Sequence, residues 1–119
     1  MTTINCTQKL AKRLPFEMPE KYLPVTTRLG PWCANTFNIG RFPCIILTNE
    51  QTLLTVLVVL KEIKTLYPRF LSSLEWLLRA IGVQGPHIDQ ELREMHSAQF
   101  ARNTNRSTLG SMNDFVLNV

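Results

Sequence analysis

Two short turn sequences divide residues 32–60 into three strand-like segments, and this division constrains the fold more than any other feature of the chain. Gly40-Arg41 is typical of a two-residue hairpin turn, and Asn49-Glu50-Gln51 is typical of a second turn. Residues 32–39 alternate between the two faces of a strand. We therefore predict a three-stranded antiparallel meander, which residues 3–6 can extend to four strands.

The last of the three segments contains a continuous apolar run, Leu53 to Leu60, made of leucine, valine and one threonine. A strand that is apolar on both faces is normally buried on both faces, so we predict a central position in the sheet for this run. The run alone is also compatible with a buried helix, and the neighbouring hairpin pattern favours the strand.

Helical periodicity replaces the strand pattern in the second half of the chain. Pro68 suits a first helical turn and Gly82 ends the helix, so we predict a helix between them. The apolar face of this helix contains Leu71, Leu74, Leu77, Leu78 and Ile81. Trp76 lies beside that face, where it can pack against the meander or mark a surface patch, and we predict that it packs in the core.

Gly85-Pro86 starts another predicted helix. The residues on its apolar face are Ile88, Leu92 and Met95. Glu91 and Glu94 of the same helix are predicted to be exposed to solvent. Near the other end of the chain, Thr7 is predicted to cap a short helix over residues 8–14.

These segments together predict an α+β fold in a single domain, residues 1–119. The expected architecture is a small antiparallel sheet of three to four strands packed against three to four helices, most of them from the C-terminal half. Pro15, Pro19 and Pro24 exclude a helix or a central strand between them. They predict an extended loop over residues 15–25, a candidate lid.

Composition and charge exclude several classes of protein. Apolar content of 45% is ordinary for a globular domain, so a disordered body is not expected. The three cysteines form no C-x-x-C pair, which argues against a disulfide framework or a zinc site. No signal peptide or membrane-spanning run is recognisable, so we expect a cytoplasmic protein. The net charge of +4 originates in residues 1–69, which can face an acidic partner or form an ordinary solvated surface.

The C-terminal stretch from Arg102 to Phe115 is the candidate site. It combines arginine, asparagine and hydroxyl residues where a purely structural helix would contain Glu, Lys, Ala and Leu. A last helix capped by Asn105 or Ser107 would place two arginines beside free backbone N–H groups, which is the chemistry of an anion site. The same residues also suit a tight loop followed by an N-cap, and both interpretations remain open.

The same stretch resembles a known family. The run Asn103-Thr104-Asn105-Arg106-Ser107, then Leu109-Gly110-Ser111-Met112-Asn113-Asp114-Phe115, is similar to the C-terminal signature of a family of small bacterial and archaeal proteins catalogued only as a domain of unknown function. Three further stretches are similar: Cys6–Leu10, Thr26–Asn35 and Thr48–Leu53. The resemblance implies a single-domain prokaryotic or phage-type protein. It implies no reaction, ligand or catalytic residue.

We therefore expect a non-catalytic binding module that recognises an anionic partner, namely nucleic acid, a nucleotide or an acidic protein surface. The candidate ligand-binding residues are Arg102, Asn103, Asn105, Arg106, Ser107, Ser111, Asn113 and Asp114. The secondary candidates, from the basic half of the chain, are Arg28, Trp32 and Arg41. An aromatic ring such as that of Trp32 beside these arginines would suit single-stranded nucleic acid.

Two alternatives come from other classes. A small enzyme acting on a phosphorylated or nucleotide-like substrate would need Arg106, Asp114 and a histidine or Cys6 in one pocket, or Asp114 working with Glu50. An interaction protein would bury the C-terminal polar residues at a homodimer interface. The sequence contains no cofactor or metal motif, so we expect no cofactor, no metal and no catalytic residue.

Cys6 has the strongest case for reactivity among the cysteines. It would lie just ahead of a helix N-terminus, where the pKa of a thiol can be lowered. The alternative is that Cys6 packs as a small apolar residue at the end of a strand.

Overall fold

A computed structural model describes residues 1–15, 18, 22–60 and 63–102. Its strands are β1 (Thr2–Cys6), β2 (Trp32–Ile39), β3 (Phe42–Asn49), β4 (Thr55–Val59) and β5 (Ala98–Ala101). Its helices are α1 (Gln8–Ala11), α2 (Ile63–Ala80) and α3 (Gly85–Glu94). The strands form one sheet in the order β4-β3-β2-β1-β5. The α+β class is confirmed.

The predicted meander is confirmed for β2, β3 and β4, which pair antiparallel. Gly40 lies in the first turn with a φ of +60°, a conformation that favours a residue without a Cβ atom. The second reversal follows Asn49, whose backbone N–H donates to the carbonyl of Leu54 at 2.8 Å. Both turn sequences therefore lie where the chain reverses.

The prediction of a purely antiparallel sheet of three to four strands is wrong, because β1 lies parallel to both of its neighbours. Ile4 pairs with Trp32 of β2 on one side and with Phe100 of β5 on the other. A long connection, residues 7–31, joins β1 to β2, and adjacent strands can run parallel only through such a crossover. β5 is a four-residue strand that the sequence reading did not predict.

The prediction that the apolar run forms a central strand is also wrong. Among the described residues β4 pairs with β3 alone, so it forms one edge of the sheet. Val56 and Val58 are buried, whereas Leu57 is 38% exposed and Val59 is 41% exposed. Both faces of this strand are apolar, but only one of them packs on the core.

Helix α2 begins well before the predicted start, so Pro68 lies inside it rather than in its first turn. Its buried residues recur at every fourth position and are Leu66, Phe70, Leu74 and Leu78. Phe70 packs edge-to-face on Trp32, with ring centroids 5.1 Å apart. This contact fixes α2 over the middle of the sheet.

Two further side-chain predictions have opposite outcomes. Trp76 of α2 is 73% exposed, so the prediction that it packs in the core is wrong. Thr7 caps α1 as predicted, because its Oγ1 accepts the backbone N–H of Leu10 at 3.3 Å. The described residues contain three helices, α1 from the first half of the chain and α2 and α3 from the second. The predicted last helix, and residues 16, 17 and 19–21 of the predicted lid at 15–25, lie outside the described residues.

Candidate functional site

Most of the predicted C-terminal site lies outside the described residues. This applies to Asn103, Asn105, Arg106, Ser107, Ser111, Asn113 and Asp114. Arg102 is described; it is exposed and directly follows β5. The interpretation of this stretch as an anion site or as a cap therefore stays a prediction.

The secondary candidates lie in separate parts of the molecule. Arg28 precedes β2 and Arg41 lies in the turn after it, so the eight residues of β2, about 26 Å of extended chain, separate them. Arg102 lies at the opposite end of β1 from Arg28, because β5 runs parallel to β1. Trp32 has no exposed surface and packs on Phe70. Of these four residues, the structure places only Arg28 at a described pocket.

The loop that carries Arg28 is held by a carboxylate of α3. The backbone N–H groups of Arg28 and Leu29 donate to the two carboxylate oxygens of Glu91, at 3.1 Å and 3.2 Å. Glu91 is only 6% exposed, so the prediction that it is solvated is wrong. It follows buried Ile88 by three residues and precedes buried Met95 by four, so it shares their helix face. That spacing could have identified it from sequence.

A pocket of about 170 Å³ lies between this loop, α2 and α3. Its lining residues are Arg28, Leu29, Leu78, Val83, His87 and Glu91. Leu29, Leu78 and Val83 give it apolar walls, and the three ionisable residues are the polar groups at its boundary. His87 is not among the site residues predicted from the sequence.

The ionisable groups of this pocket differ in whether they form hydrogen bonds with the described residues. Both carboxylate oxygens of Glu91 accept backbone N–H groups. The guanidinium of Arg28 and the imidazole of His87 make no hydrogen bond or ion pair with any described residue. The negative charge therefore holds the loop, while the two nitrogen donors are left to face the solvent.

The comparisons with known proteins identify the family and nothing closer. A family model with the description "Domain of unknown function (DUF6933)" matches residues 3–119. The chain belongs to this family. Neither a curated protein nor a solved structure shows significant similarity to it. The resemblance seen in the sequence is thus confirmed, and the family supplies no reaction and no ligand.

A second ionisable group of this DUF6933 protein, the carboxyl of Glu50, lies in an unusual environment in the turn after β3. Glu50 is half-buried beside Asn5, whose Nδ2 donates to its Oε2 at 3.3 Å. Burial raises the pKa of the Glu50 carboxyl, and the hydrogen bond from Asn5 partly offsets this shift. The suggested acid–base partner, Asp114, lies outside the described residues, so that pairing stays a prediction.

Cys6 of this DUF6933 protein is not an activated thiol. It is fully buried, and its Sγ donates to the carbonyl of Ile4 at 3.6 Å. Burial, with a smaller contribution from neighbouring Cys33, raises the pKa of the Cys6 thiol to about 12. The thiol is therefore protonated at neutral pH, and the interpretation of Cys6 as a small packing residue is confirmed.

Within the part of this DUF6933 protein that the structure describes, no three histidine, cysteine or acidic side chains cluster as metal ligands. In the same part of the chain, no helix has the length and apolar character needed to cross a membrane. Among the predicted ligand-binding residues that the structure describes, Arg28 lines a pocket, and Arg102 is exposed at the other end of β1.

Proposed function

We propose that this protein is a non-catalytic binding module for an anionic group, and that the pocket of Arg28 and His87 receives a carboxylate or phosphate of the partner. One observation carries the proposal. The two nitrogen donors at this pocket have no partner among the described residues, whereas the only acid there uses both oxygens on backbone N–H groups. An incoming anion would thus meet unused donors.

The size and walls of the pocket narrow the class of ligand. At about 170 Å³ it is smaller than a typical site for a whole drug-sized molecule, so it suits one group of a larger partner. The walls formed by Leu29, Leu78 and Val83 suit a short apolar segment next to the anion. An acidic side chain of a partner protein combines a short apolar segment with a carboxylate. The phosphate of a nucleotide or nucleic acid has the same negative charge.

The C-terminal stretch belongs to the same proposal in its predicted form. Arg102 is exposed at the end of β5, and with Arg106 it would add a second cationic contact for a partner that extends along the molecule. The three cysteines are buried free thiols, which fits a reducing compartment, and we propose the cytoplasm as the place of action.

The test is a titration of the full chain with phosphate, acetate and butyrate. The NMR chemical shifts of the Arg28 and Leu29 amides measure binding at each ligand concentration. We expect saturable binding that weakens with added salt. Butyrate should bind more tightly than acetate, because each methylene buried against the leucine walls contributes about 0.8 kcal/mol. Arg28→Ala should weaken binding by about tenfold or more, since it removes a charge-assisted hydrogen bond.

Arg41→Ala is the matched control, because Arg41 is an exposed arginine in the turn at the far end of β2. It should bind as the wild type does. Arg28→Ala should also melt like the wild type, because its guanidinium makes no hydrogen bond with the described residues. Equal losses in the two variants, or the absence of saturable binding, would refute the proposal.

A further inference from the structure

The sheet edge at β4 presents backbone hydrogen-bonding groups in a regular row. The carbonyl of Leu54 accepts from Asn49, and the N–H of Leu60 donates to Pro43, both towards β3. Residues of an antiparallel strand alternate in this respect, so Val56 and Val58 also point towards β3. The backbone N–H and C=O groups of Thr55, Leu57 and Val59 therefore point away from the sheet.

This edge lacks three of the features that usually prevent strand pairing. The segment Thr55–Val59 contains no charged residue, no proline and no bulge. Leu57 and Val59 are partly exposed, so pairing with another strand would remove some of their apolar surface from solvent. Arg69 donates to the carbonyl of Val59, and a carbonyl oxygen can accept a second hydrogen bond.

A groove of about 620 Å³ runs beside the edge, between β4 and α2. Residues 57–59 form one wall, and Thr65, Arg69, Ser72 and Ser73 form the other. Trp76, the most exposed large apolar side chain among the described residues, continues the same helix stripe one turn beyond the groove. The groove and the exposed Trp76 side chain, which is large enough to enter such a groove, thus lie on the same surface of the chain.

We propose that a second copy of this chain occupies this edge, with β4 pairing antiparallel to β4 of the second copy about a two-fold axis at Leu57. Every outward donor then has an acceptor, because Leu57 pairs with itself and Thr55 pairs with Val59 across the axis. The two sheets become one continuous sheet. Because Thr55–Val59 contains no charged residue, the two β4 strands place no like charges opposite each other.

The helices support the same axis. Leu57 lines the groove together with Ser72 and Ser73, so an axis at Leu57 passes near these small residues. Arg69 and Trp76 lie on either side of them along α2. Trp76 of each copy consequently lies level with Arg69 in the groove of the other. Arg69 donates to Val59 and Thr65, and a guanidinium cation is attracted to the face of an indole ring.

The test combines sedimentation velocity of the full chain from micromolar to near-millimolar concentration with amide hydrogen exchange. We expect a monomer–dimer equilibrium. On dilution the amides of Thr55, Leu57 and Val59 should lose protection, while those of Val56 and Val58, which bond β3, should not. Leu57→Lys should weaken the dimer by at least about tenfold, because it places two like charges opposite each other on the axis.

Ile39→Lys is the matched control, because Ile39 is 40% exposed against 38% for Leu57 and lies in β2, which β3 separates from β4. It should dimerise like the wild type. Trp76→Ala should also weaken the dimer while leaving the β3-facing amides protected. A monomer at all concentrations would overturn the proposal and leave the edge for a strand of another protein. A dimer that tolerates Leu57→Lys would overturn it too.

Discussion

The two ends of the β2–β3 hairpin differ in what holds them. At the open end, Asn49 is fully buried and its side chain makes five hydrogen bonds, two as a donor and three as an acceptor. At the turn end, Asn38 is exposed and makes no side-chain hydrogen bond with the described residues, and Phe42 is 67% exposed. Among the described residues, backbone pairing holds the turn end of the hairpin, whereas side chains hold the open end.

The difference teaches how the pocket is built. Its loop is fixed from two directions, by Asn49, which donates to the carbonyls of Leu29 and Pro31, and by Glu91, which accepts from Arg28 and Leu29. The polar groups that fix the backbone are buried, and those left over are the cationic and imidazole side chains of Arg28 and His87. A rigid loop therefore presents donors that have no structural task.

Replacing Asn49 should have the largest effect on stability. Asn49→Ala removes the partners of two backbone carbonyls and two backbone N–H groups, so the free energy of unfolding should fall by about 3 kcal/mol or more. Urea denaturation measures the change. Asn38→Ala, the same substitution at the turn end, should change it by less than about 0.5 kcal/mol. Similar losses in both variants would show that the two ends are held alike.

Glu91→Gln should have an intermediate effect. The amide has one acceptor oxygen, so it can satisfy only one of the two loop N–H groups and faces the other with its own NH₂ group. We expect a loss of about 2 kcal/mol in the free energy of unfolding. Glu75→Gln, which removes an exposed acid paired with Arg79 on the surface of α2, should cost less than about 0.5 kcal/mol. An unchanged unfolding midpoint for Glu91→Gln would contradict the two-oxygen clamp.

Glu50→Gln should have the smallest effect, and only its pH dependence is diagnostic. Because burial raises the pKa of Glu50, its contribution to stability is fully present below the pKa of the unfolded chain and is lost as pH rises through the folded-state pKa. The variant cannot ionise, so it should gain stability relative to the wild type from about pH 4 upward. Unfolding at pH 4 and pH 8 tests this sign. If the variant were less stable than the wild type at pH 8, the fold would stabilise the carboxylate of Glu50, contrary to this prediction.

The meander was predictable because its signals are local. Gly40 lies in the first turn, Asn49 directly precedes the second, and the alternation of residues 32–39 needs no distant partner. The same holds for the Thr7 cap, where donor and acceptor are three residues apart. Local chemistry decided these features, and the structure agrees with them.

The wrong predictions all depended on distant contacts. The apolar run around Leu57 does not reveal whether a strand will be added beside it, so centre and edge look alike in sequence. Pro68 suits both a helix start and a tolerated interior position, and the core contact of Phe70 with Trp32 favours the longer helix. Glu91 looked like an ordinary surface acid because its partners lie 62 and 63 residues earlier.

The position of β1 between β2 and β5 has a consequence for synthesis in the cell. Gln99 of β5 donates to Thr3 of β1 across 96 residues of sequence, although the two strands are adjacent in space. A ribosome therefore completes β1 long before its second neighbour exists, and the sheet can close only after β5 has left the exit tunnel. Until then β1 has one open edge, so chaperones that shield extended segments should bind the nascent chain at β1.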